Sequence, residues 1–319
     1  MEAAPVGAGR HWRLGYLGPE GSFSHEAALR WAAGRQPPRE PHGMGGIDRL
    51  FEAASAGELD EIVCPIENAL EGTVPVTVDL WLHQSTLYQV GEVILPIEHR
   101  LLVRPGVALR EVEAVLSHPH ALAQCRRTLA GLLPGVEQRP VASTAEAARL
   151  VAESERPWAA VAGPAAERRY GLEAVHAPVQ DGIRNATRFG VFGLRMPGPS
   201  GFDRTTIVIG SLEDRPGLLR DLLAEFADRG INLTRIESRP ARQGLGEYLF
   251  LIDLEGHPED LPVREALRGV RGKAGYLRLL GAYRRADAME PTPRRQERPS
   301  GQAAKQAAGQ ATPPGARAT

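Results

Sequence analysis

The chain has 319 residues, of which 42% are hydrophobic and 5% aromatic, and its formal net charge is −1 at pH 7. This length allows two domains that each bury a core. A near-neutral chain with few aromatic residues lacks the basic field and the stacking surfaces of nucleic-acid-binding proteins, and no apolar run is long enough to cross a bilayer. We therefore expect no nucleic-acid and no membrane partner. Residues 1–11 contain no signal-peptide core, so we expect a cytoplasmic enzyme or binding protein.

Strand and helix patterns alternate along the first 170 residues. The predicted strands are Trp12–Leu17, Glu61–Ile66, Leu87–Leu95, Arg100–Val103, Ala114–Leu116, Val136–Val141 and Trp158–Ala162. The predicted helices are Phe23–Ala33, Ile47–Ala56, Val76–His83, Ala121–Ala130, Thr144–Ser154 and Ala165–Tyr170. This alternation is typical of open, mostly parallel sheets with helices on both faces. Residues 43–46, Gly-Met-Gly-Gly, follow no convincing strand and are predicted to form a turn.

A Pro- and Gly-rich linker over residues 196–201 separates this region from a different pattern. Strands at Thr205–Ser211, Leu233–Ser238, Tyr248–Leu254 and Tyr276–Gly281 surround helices at Pro216–Arg229 and Pro262–Gly269. The order βαββαβ is the ferredoxin-like arrangement. From about Ala286 the chain is rich in Pro, Ala, Gln, Gly and Arg, so residues 286–319 are predicted to be a disordered tail.

Two cysteines, Cys64 and Cys125, lie far apart in the sequence and indicate buried reduced thiols rather than a disulfide framework. No tight spacing of His, Cys and Asp predicts a metal site. Gly-x-Ser-x-Gly and the phosphate-binding loop pattern are both absent from the sequence, which disfavours a serine hydrolase or a nucleotide hydrolase.

Polar clusters follow several of the predicted strands. They are Gly18–Ser24, Pro65–Asn68, Ser117–Cys125 and Asn185–Phe189, the last of which precedes a predicted strand over residues 189–194. Ligands of open α/β sheets bind at strand ends, so these clusters are candidates for one site. In this order they resemble prephenate dehydratase, and the resemblance runs from about Trp12 to Tyr283.

The resemblance implies a monofunctional enzyme with a two-lobed catalytic domain, like periplasmic binding proteins, over residues 12–195. Its second lobe covers about residues 99–177. A linker over residues 196–203 leads to an ACT regulatory domain over residues 204–285, and residues 1–11 are a flexible N-terminus. The implied reaction converts prephenate to phenylpyruvate, CO₂ and water in phenylalanine biosynthesis, and it needs no cofactor and no metal.

Prephenate carries two carboxylates and a ring hydroxyl, so the enzyme must hold two anions and help the hydroxyl to leave. We expect Thr187 to donate a hydrogen bond to the leaving oxygen and Glu67, beside Asn68, to supply the proton as a buried acid. Arg188 is expected to pair with a carboxylate. The resemblance implies that these residues line the cleft with Ser117 and Gln124, and we add Ser22, at a helix start, and Phe189 as substrate-binding residues.

Structural roles remain open for several of these residues. Ser22 and Ser117 are also suited to capping helices, and Glu67 and Arg188 to forming a structural ion pair. His118 and His120, the latter a Gln in many relatives, are interpreted as surface turn residues.

In the resembled family, phenylalanine binds to two segments of the ACT domain. Here these are Pro216, Gly217, Leu218 and Leu219, at a helix start, and Glu237, Ser238, Arg239 and Pro240, at a strand end. ACT domains pair side by side, so a homodimer or homotetramer is expected. Two alternatives stay open: an arogenate dehydratase with the same fold, and a non-enzymatic amino-acid-sensing binding protein.

Overall fold

The structure is a computed structural model that describes residues 11–182, 185–210, 215–241 and 248–286. The predictions of a flexible N-terminus and a disordered tail concern segments that lie outside these residues, apart from His11 and Ala286.

The first lobe is an α/β layer in which a sheet is covered by helices. Its elements are β1 (Trp12–Leu17), α1 (Phe23–Ala32), β2 (Arg39–Met44), α2 (Ile47–Ser55), β3 (Glu61–Asn68), β4 (Gly72–Thr73), α3 (Pro75–His83) and β5 (Tyr88–Ile97). Ser22 caps α1, since its hydroxyl accepts the His25 N–H at 3.2 Å. Pro75 occupies the first turn of α3, where its missing N–H costs no helical hydrogen bond.

The second lobe is built around a separate sheet of five strands. Its elements are β6 (Arg100–Val103), β7 (Ala114–Ser117), α4 (Pro119–Gln124), α5 (Arg126–Leu132), β8 (Glu137–Pro140), α6 (Thr144–Glu153), β9 (Trp158–Ala162), α7 (Pro164–Tyr170) and β10 (Glu173–His176), with strand order β10-β6-β9-β7-β8. The chain then returns to the first lobe through β11 (Asn185–Gly193), which lies between β5 and β3.

The C-terminal region folds as βαββαβ, and its sheet joins that of the first lobe. It comprises β12 (Asp203–Gly210), α8 (Leu218–Ala227), β13 (Leu233–Pro240), β14 (Tyr248–Glu255), α9 (Leu261–Lys273) and β15 (Tyr276–Arg284). In the described residues the combined sheet runs β13-β14-β12-β15-β5-β11-β3-β1-β2. At the join, Gly281 pairs with Gln89, and a side chain at Gly281 would collide with the Gln89 backbone.

Hydrophobic packing also crosses the join. Val208, Leu251 and Leu280 of the C-terminal sheet pack in one buried cluster with Trp81 and Phe192 of the first lobe. A second cluster around Phe226 belongs to the C-terminal domain alone. The C-terminal domain is therefore fixed against the first lobe by shared apolar burial.

The predicted fold class, a two-lobed α/β domain followed by a βαββαβ domain, is confirmed. The expectation of mostly parallel sheets is wrong. In the first lobe β1 pairs in parallel with β2 and β3, but β11 is antiparallel to both of its neighbours there. The second lobe likewise combines parallel and antiparallel pairs. The first strand of the second lobe, β6, and the returning strand, β11, run against the strands with which they pair.

Two local predictions also need correction. Gly43 and Met44 belong to strand β2 and not to a turn. The single helix predicted over residues 121–130 is two helices, α4 and α5. The Asp181 carboxylate accepts the N–H groups of Arg127 and Thr128 at 2.6 and 2.7 Å, which creates a new helix start after Cys125.

Both thiols are buried and free, as predicted. Burial raises the pKa of the Cys64 thiol. Burial, and to a lesser extent the charge of Asp181, raises the pKa of Cys125 to about 12. Within the described ranges, no helix is long and apolar enough to cross a membrane, and no group of three or more His, Cys, Asp and Glu side chains is placed to hold a metal ion.

Candidate active site

The central feature of the site is a hydrogen bond between Thr187 and Asn68. These residues face each other across the β11–β3 ladder, near the point where the chain crosses between the lobes. The Asn68 Nδ2 donates to the Thr187 Oγ1 at 2.9 Å, and Thr187 is 8% exposed. Two candidate catalytic residues that are 119 positions apart in sequence are therefore in direct contact.

The contacts of Asn68 fix the direction of this hydrogen bond. The Asn68 Oδ1 accepts the backbone N–H groups of Leu70 at 2.9 Å and Glu71 at 3.2 Å, so the amide nitrogen must point toward Thr187. Because the Thr187 oxygen accepts from Asn68, its own proton stays available for a second partner. The arrangement presents a buried, oriented hydroxyl donor.

A second group of side chains lies around Gln124 on α4, in the other lobe. The Gln124 Nε2 donates to the Glu71 Oε1 at 3.0 Å, and its Oε1 accepts from the Asn185 Nδ2 at 3.4 Å. The His120 Nδ1 lies 3.0 Å from the Glu71 Oε2. An open pocket of about 380 Å³ is lined here by Leu70, Glu71, His120, Ala123 and Gln124.

His99, at the crossing from β5 to β6, is 4% exposed and packs edge-on against Phe23. Burial lowers the pKa of His99, and the Gln124 side chain raises it in part. Burial thus disfavours the charged form of this imidazole.

Arg188 does not join the cleft group, contrary to prediction. Its guanidinium lies 2.6 Å from Asp253 and 3.6 Å from Glu92, and the side chain is 13% exposed. Asp253 is on β14 of the C-terminal domain, and Arg204 of that domain also contacts Glu92, at 2.6 Å. Successive side chains of a strand point to opposite faces, so Arg188 faces the C-terminal domain while Thr187 faces Asn68.

Glu67 also departs from prediction. Its side chain is 42% exposed and lies 3.8 Å from Arg188, so it is not the buried acid that the proton-donor hypothesis requires. The predicted alternative, a structural ion pair with Arg188, describes its observed contact better.

Three further predicted substrate-binding residues have structural contacts. The Ser117 hydroxyl is fully buried and donates to the Val161 carbonyl at 2.6 Å. Ser22 caps α1 and donates to the Leu17 carbonyl at 3.2 Å. Phe189 is 2% exposed in the core of the first lobe. Ser22 is therefore the helix cap that the sequence also allowed, whereas His118 and not Ser117 is the N-cap of α4. Phe189 is a core residue.

The predicted effector segments lie on separate parts of the C-terminal domain. Pro216 and Gly217 are exposed before α8, and Gly217 has a φ of 83°, a conformation that favours glycine. Leu218 is buried, and Leu219 is half-buried. On edge strand β13, Ser238 and Pro240 are exposed, whereas Glu237 and Arg239 are turned toward the first lobe.

Glu237 links the C-terminal domain to strand β4. Its carboxylate accepts from the Thr73 hydroxyl at 2.7 Å and from Arg235 at 2.5 Å, while Arg239 contacts Asp79 at 2.5 Å. Burial alone would raise the pKa of Glu237, but the hydrogen bonds from Thr73 and Arg235 and the charges of Arg235 and Arg239 lower it overall. The carboxylate is thus held ionised at the interface.

The sequence interpretation missed Glu71 and His120 as members of the cleft. Glu71 lies three residues after Asn68 in the same polar segment, and His120 lies four residues before Gln124 on one helix face. These two spacings are the signals in the sequence that point to the pair.

Two family models match consecutive parts of the chain. The family model described as prephenate dehydratase matches residues 14–197, and that of the ACT domain matches residues 205–272. The prephenate dehydratase of Mycobacterium leprae is 40% identical over 290 residues, which are 88% of this chain and 89% of that protein.

Two solved structures are similar over most of the chain. The prephenate dehydratase from Arthrobacter aurescens, in complex with L-Phe, has a TM-score of 0.77 and 36% identity, covering 86% of this chain and 90% of that one. A protein described as a novel type of quorum quenching acylase, GqqA, also has a TM-score of 0.77, with 30% identity, covering 87% and 99%.

Proposed function

The chain belongs to the prephenate dehydratase family, and from this membership we propose that it converts prephenate to phenylpyruvate, CO₂ and water in phenylalanine biosynthesis. The observation that carries the proposal is the Thr187–Asn68 pair, which presents one oriented hydroxyl proton where two strands end beside the cleft. The proposal includes a cytoplasmic location.

The proposed chemistry is an elimination that makes the ring aromatic. The bond between the ring and its carboxylate breaks, that electron pair enters the ring, and the bond from the ring to the hydroxyl oxygen breaks. Thr187 stabilises the departing oxygen by a hydrogen bond in the transition state, and a proton from solvent completes the water molecule. Asn68 acts as a positioning residue for Thr187.

A direct assay tests this function. We expect the purified full chain to form phenylpyruvate from prephenate, and phenylalanine to change the rate. Arogenate is assayed in parallel, and hydrolysis of an N-acyl amide, the class of activity named for the 30%-identical acylase structure, serves as the control reaction. Absence of prephenate turnover by folded protein would contradict the proposal.

Regulation by phenylalanine is the second part of the proposal. The C-terminal domain belongs to the ACT family, and the 36%-identical structure from Arthrobacter aurescens was solved with L-Phe. In one copy of the chain, β14 separates β13 from β12, the strand that leads to the Pro216–Leu219 segment. A site that uses both segments is therefore best formed between two copies, which supports a homodimer or homotetramer.

The Thr73–Glu237 hydrogen bond connects β13, which carries one of the predicted effector segments, to β4, which pairs with β3. Thr73 pairs with Glu67 across the β4–β3 ladder, and Asn68 is the next residue on β3. An effector whose ammonium group approaches Glu237 would compete with Thr73 for this carboxylate. A shift of the β3–β4 hairpin on effector binding would then change the positions of Asn68 and Thr187.

We expect Thr73→Val to retain phenylalanine binding, measured by calorimetry, but to lose most of the effect of phenylalanine on turnover. The substitution removes the hydroxyl and nearly preserves side-chain volume. Thr86→Val, at an exposed position of the same lobe, is the matched control. An unchanged phenylalanine response in Thr73→Val would rule out this route.

A further inference from the structure

The Glu71 carboxylate bridges the two lobes. Glu71 lies between β3 and β4, and its backbone N–H is held by Asn68, the residue that orients Thr187. Its two carboxylate oxygens reach the Gln124 Nε2 and the His120 Nδ1, each at 3.0 Å. One carboxylate is thus bound by two side chains that lie four residues apart on α4.

The two partners form a receptor for a carboxylate. The Gln124 amide is oriented by Asn185, which donates to its oxygen at 3.4 Å, so its nitrogen points at Glu71. Asn185 is 5% exposed, and among the described residues its Oδ1 has no hydrogen-bond partner. This buried acceptor beside Gln124 can take a hydrogen bond from a donor group of a ligand, such as a hydroxyl, while Gln124 faces the carboxylate.

The contact formed by Glu71 is easy to displace. The side chains of Glu71 and His120 are 45% and 65% exposed, and exposed pairs of this kind contribute little to stability. The pocket beside them, of about 380 Å³, is open to solvent. A ligand carboxylate can therefore replace that of Glu71 without loss of a buried interaction.

We propose that His120 and Gln124 form a binding subsite for one carboxylate of the substrate, and that Glu71 occupies this subsite as an internal competitor until substrate replaces it. The inference rests on the proposed function for the identity of the substrate. Displacement of Glu71 also moves a negative charge away from the subsite, which favours entry of a dianion. His120 becomes a substrate-binding residue, and Glu71 sets the apparent affinity.

The test is a comparison of prephenate kinetics in four variants. For Glu71→Gln and Glu71→Ala we expect KM to fall by about threefold to tenfold, the factor by which an internal competitor reduces the binding-competent fraction. For His120→Ala we expect KM to rise by about tenfold, as for loss of a hydrogen bond to a charged group. His120→Gln keeps an N–H donor and should restore KM to within about threefold of the parent value.

The matched control is Glu58→Gln, which removes an exposed carboxylate of the same lobe. A KM that rises in both Glu71 variants, a loss of kcat of about tenfold or more in them, or an unchanged KM in His120→Ala would each overturn the proposal. Melting temperatures matched to the parent protein exclude misfolding as the cause.

A binding measurement separates this inference from the proposed function. Phenylsuccinate, an unreactive dicarboxylate, is titrated calorimetrically into the parent protein and the same variants. If the affinity for phenylsuccinate rises in Glu71→Gln and falls in His120→Ala, the carboxylate subsite is supported even if prephenate is not turned over. If prephenate is turned over but neither variant changes the affinity for phenylsuccinate or KM, the function stands and the subsite fails.

Discussion

Replacement of Thr187 by valine is expected to lower kcat for prephenate by about 10²- to 10³-fold, the effect of removing one oriented donor to a developing negative oxygen. Valine has nearly the shape of threonine, so the strand pairing with Asn68 and the cleft remain. The loss should appear in kcat rather than in KM, because the hydrogen bond is strongest in the transition state. Steady-state kinetics on the purified variant measure it.

Thr187→Ser is the matched control, since it keeps the hydroxyl and removes only a methyl group. We expect it to retain most of the activity. Valine also leaves the Asn68 Nδ2 without its partner, which costs about 1–3 kcal/mol of stability, so the melting temperature is recorded for both variants. A valine variant that turns over at a rate similar to that of the serine variant would remove Thr187 from the mechanism.

Replacement of Asp253 by alanine is expected to destabilise the chain by about 3–5 kcal/mol, because it leaves the Arg188 guanidinium buried without its nearest partner. Asp253 is fully buried, accepts from Arg188 at 2.6 Å, and also accepts from the Thr206 hydroxyl at 2.7 Å. Arg188 follows Thr187 on β11, so kcat should fall as well. Denaturant unfolding measures the change in free energy.

The exposed pair of Arg49 and Glu52, 3.1 Å apart, provides the control. Exposed ion pairs contribute about 0–1 kcal/mol, so Glu52→Gln should leave both stability and activity almost unchanged. Equal losses of stability in the two variants would show that the buried ion pair contributes no more than an exposed one. If Asp253→Ala loses neither stability nor kcat, the C-terminal domain does not hold strand β11 in place through Arg188.

The same ion pair predicts a pH dependence. Burial alone would raise the pKa of Asp253, but the charges of Arg188 and Arg235 and the hydrogen bonds from Arg188 and Thr206 lower it below the ordinary value of 3.8. A carboxyl group with a depressed folded-state pKa stabilises the protein above its unfolded-state pKa, and this contribution is lost as pH falls through the folded-state value. The destabilisation by Asp253→Ala should therefore be constant near neutral pH and vanish only below about pH 4.

The sequence predicts the fold class well because its strongest signals are local. The alternating apolar runs, the Pro at helix starts and the βαββαβ pattern all act within short windows. Strand β2 escapes prediction because Arg39–Met44 is polar and only partly buried, and its pairing with β1 supplies the structure that its composition does not.

The site is predicted less completely, since its residues come from distant segments. The Thr187–Asn68 contact agrees with the grouping of polar clusters, whereas the placement of Arg188 depends on which face of β11 meets the C-terminal domain. Alternation along a strand already implies that Thr187 and Arg188 face opposite sides. The partner of Arg188, Asp253, is 65 residues away, and no sequence spacing identifies it.

Ser117 shows a related limit. A hydroxyl at a strand end can donate a hydrogen bond either to a ligand or to a backbone carbonyl. In the structure Ser117 donates to the Val161 carbonyl. The reverse holds for His120, which the sequence pattern assigns to a surface turn and which the structure places against Glu71 of the other lobe. Contacts across a cleft depend on how the lobes meet, and local patterns do not specify that.

The rate of phenylpyruvate formation from prephenate, measured side by side for the parent chain and Thr187→Val, tests the central claim most directly. The account predicts clear turnover by the parent chain and a loss of about 10²- to 10³-fold in the variant, with both proteins folded. Absence of turnover in the parent chain, or equal turnover in the two proteins, would contradict it.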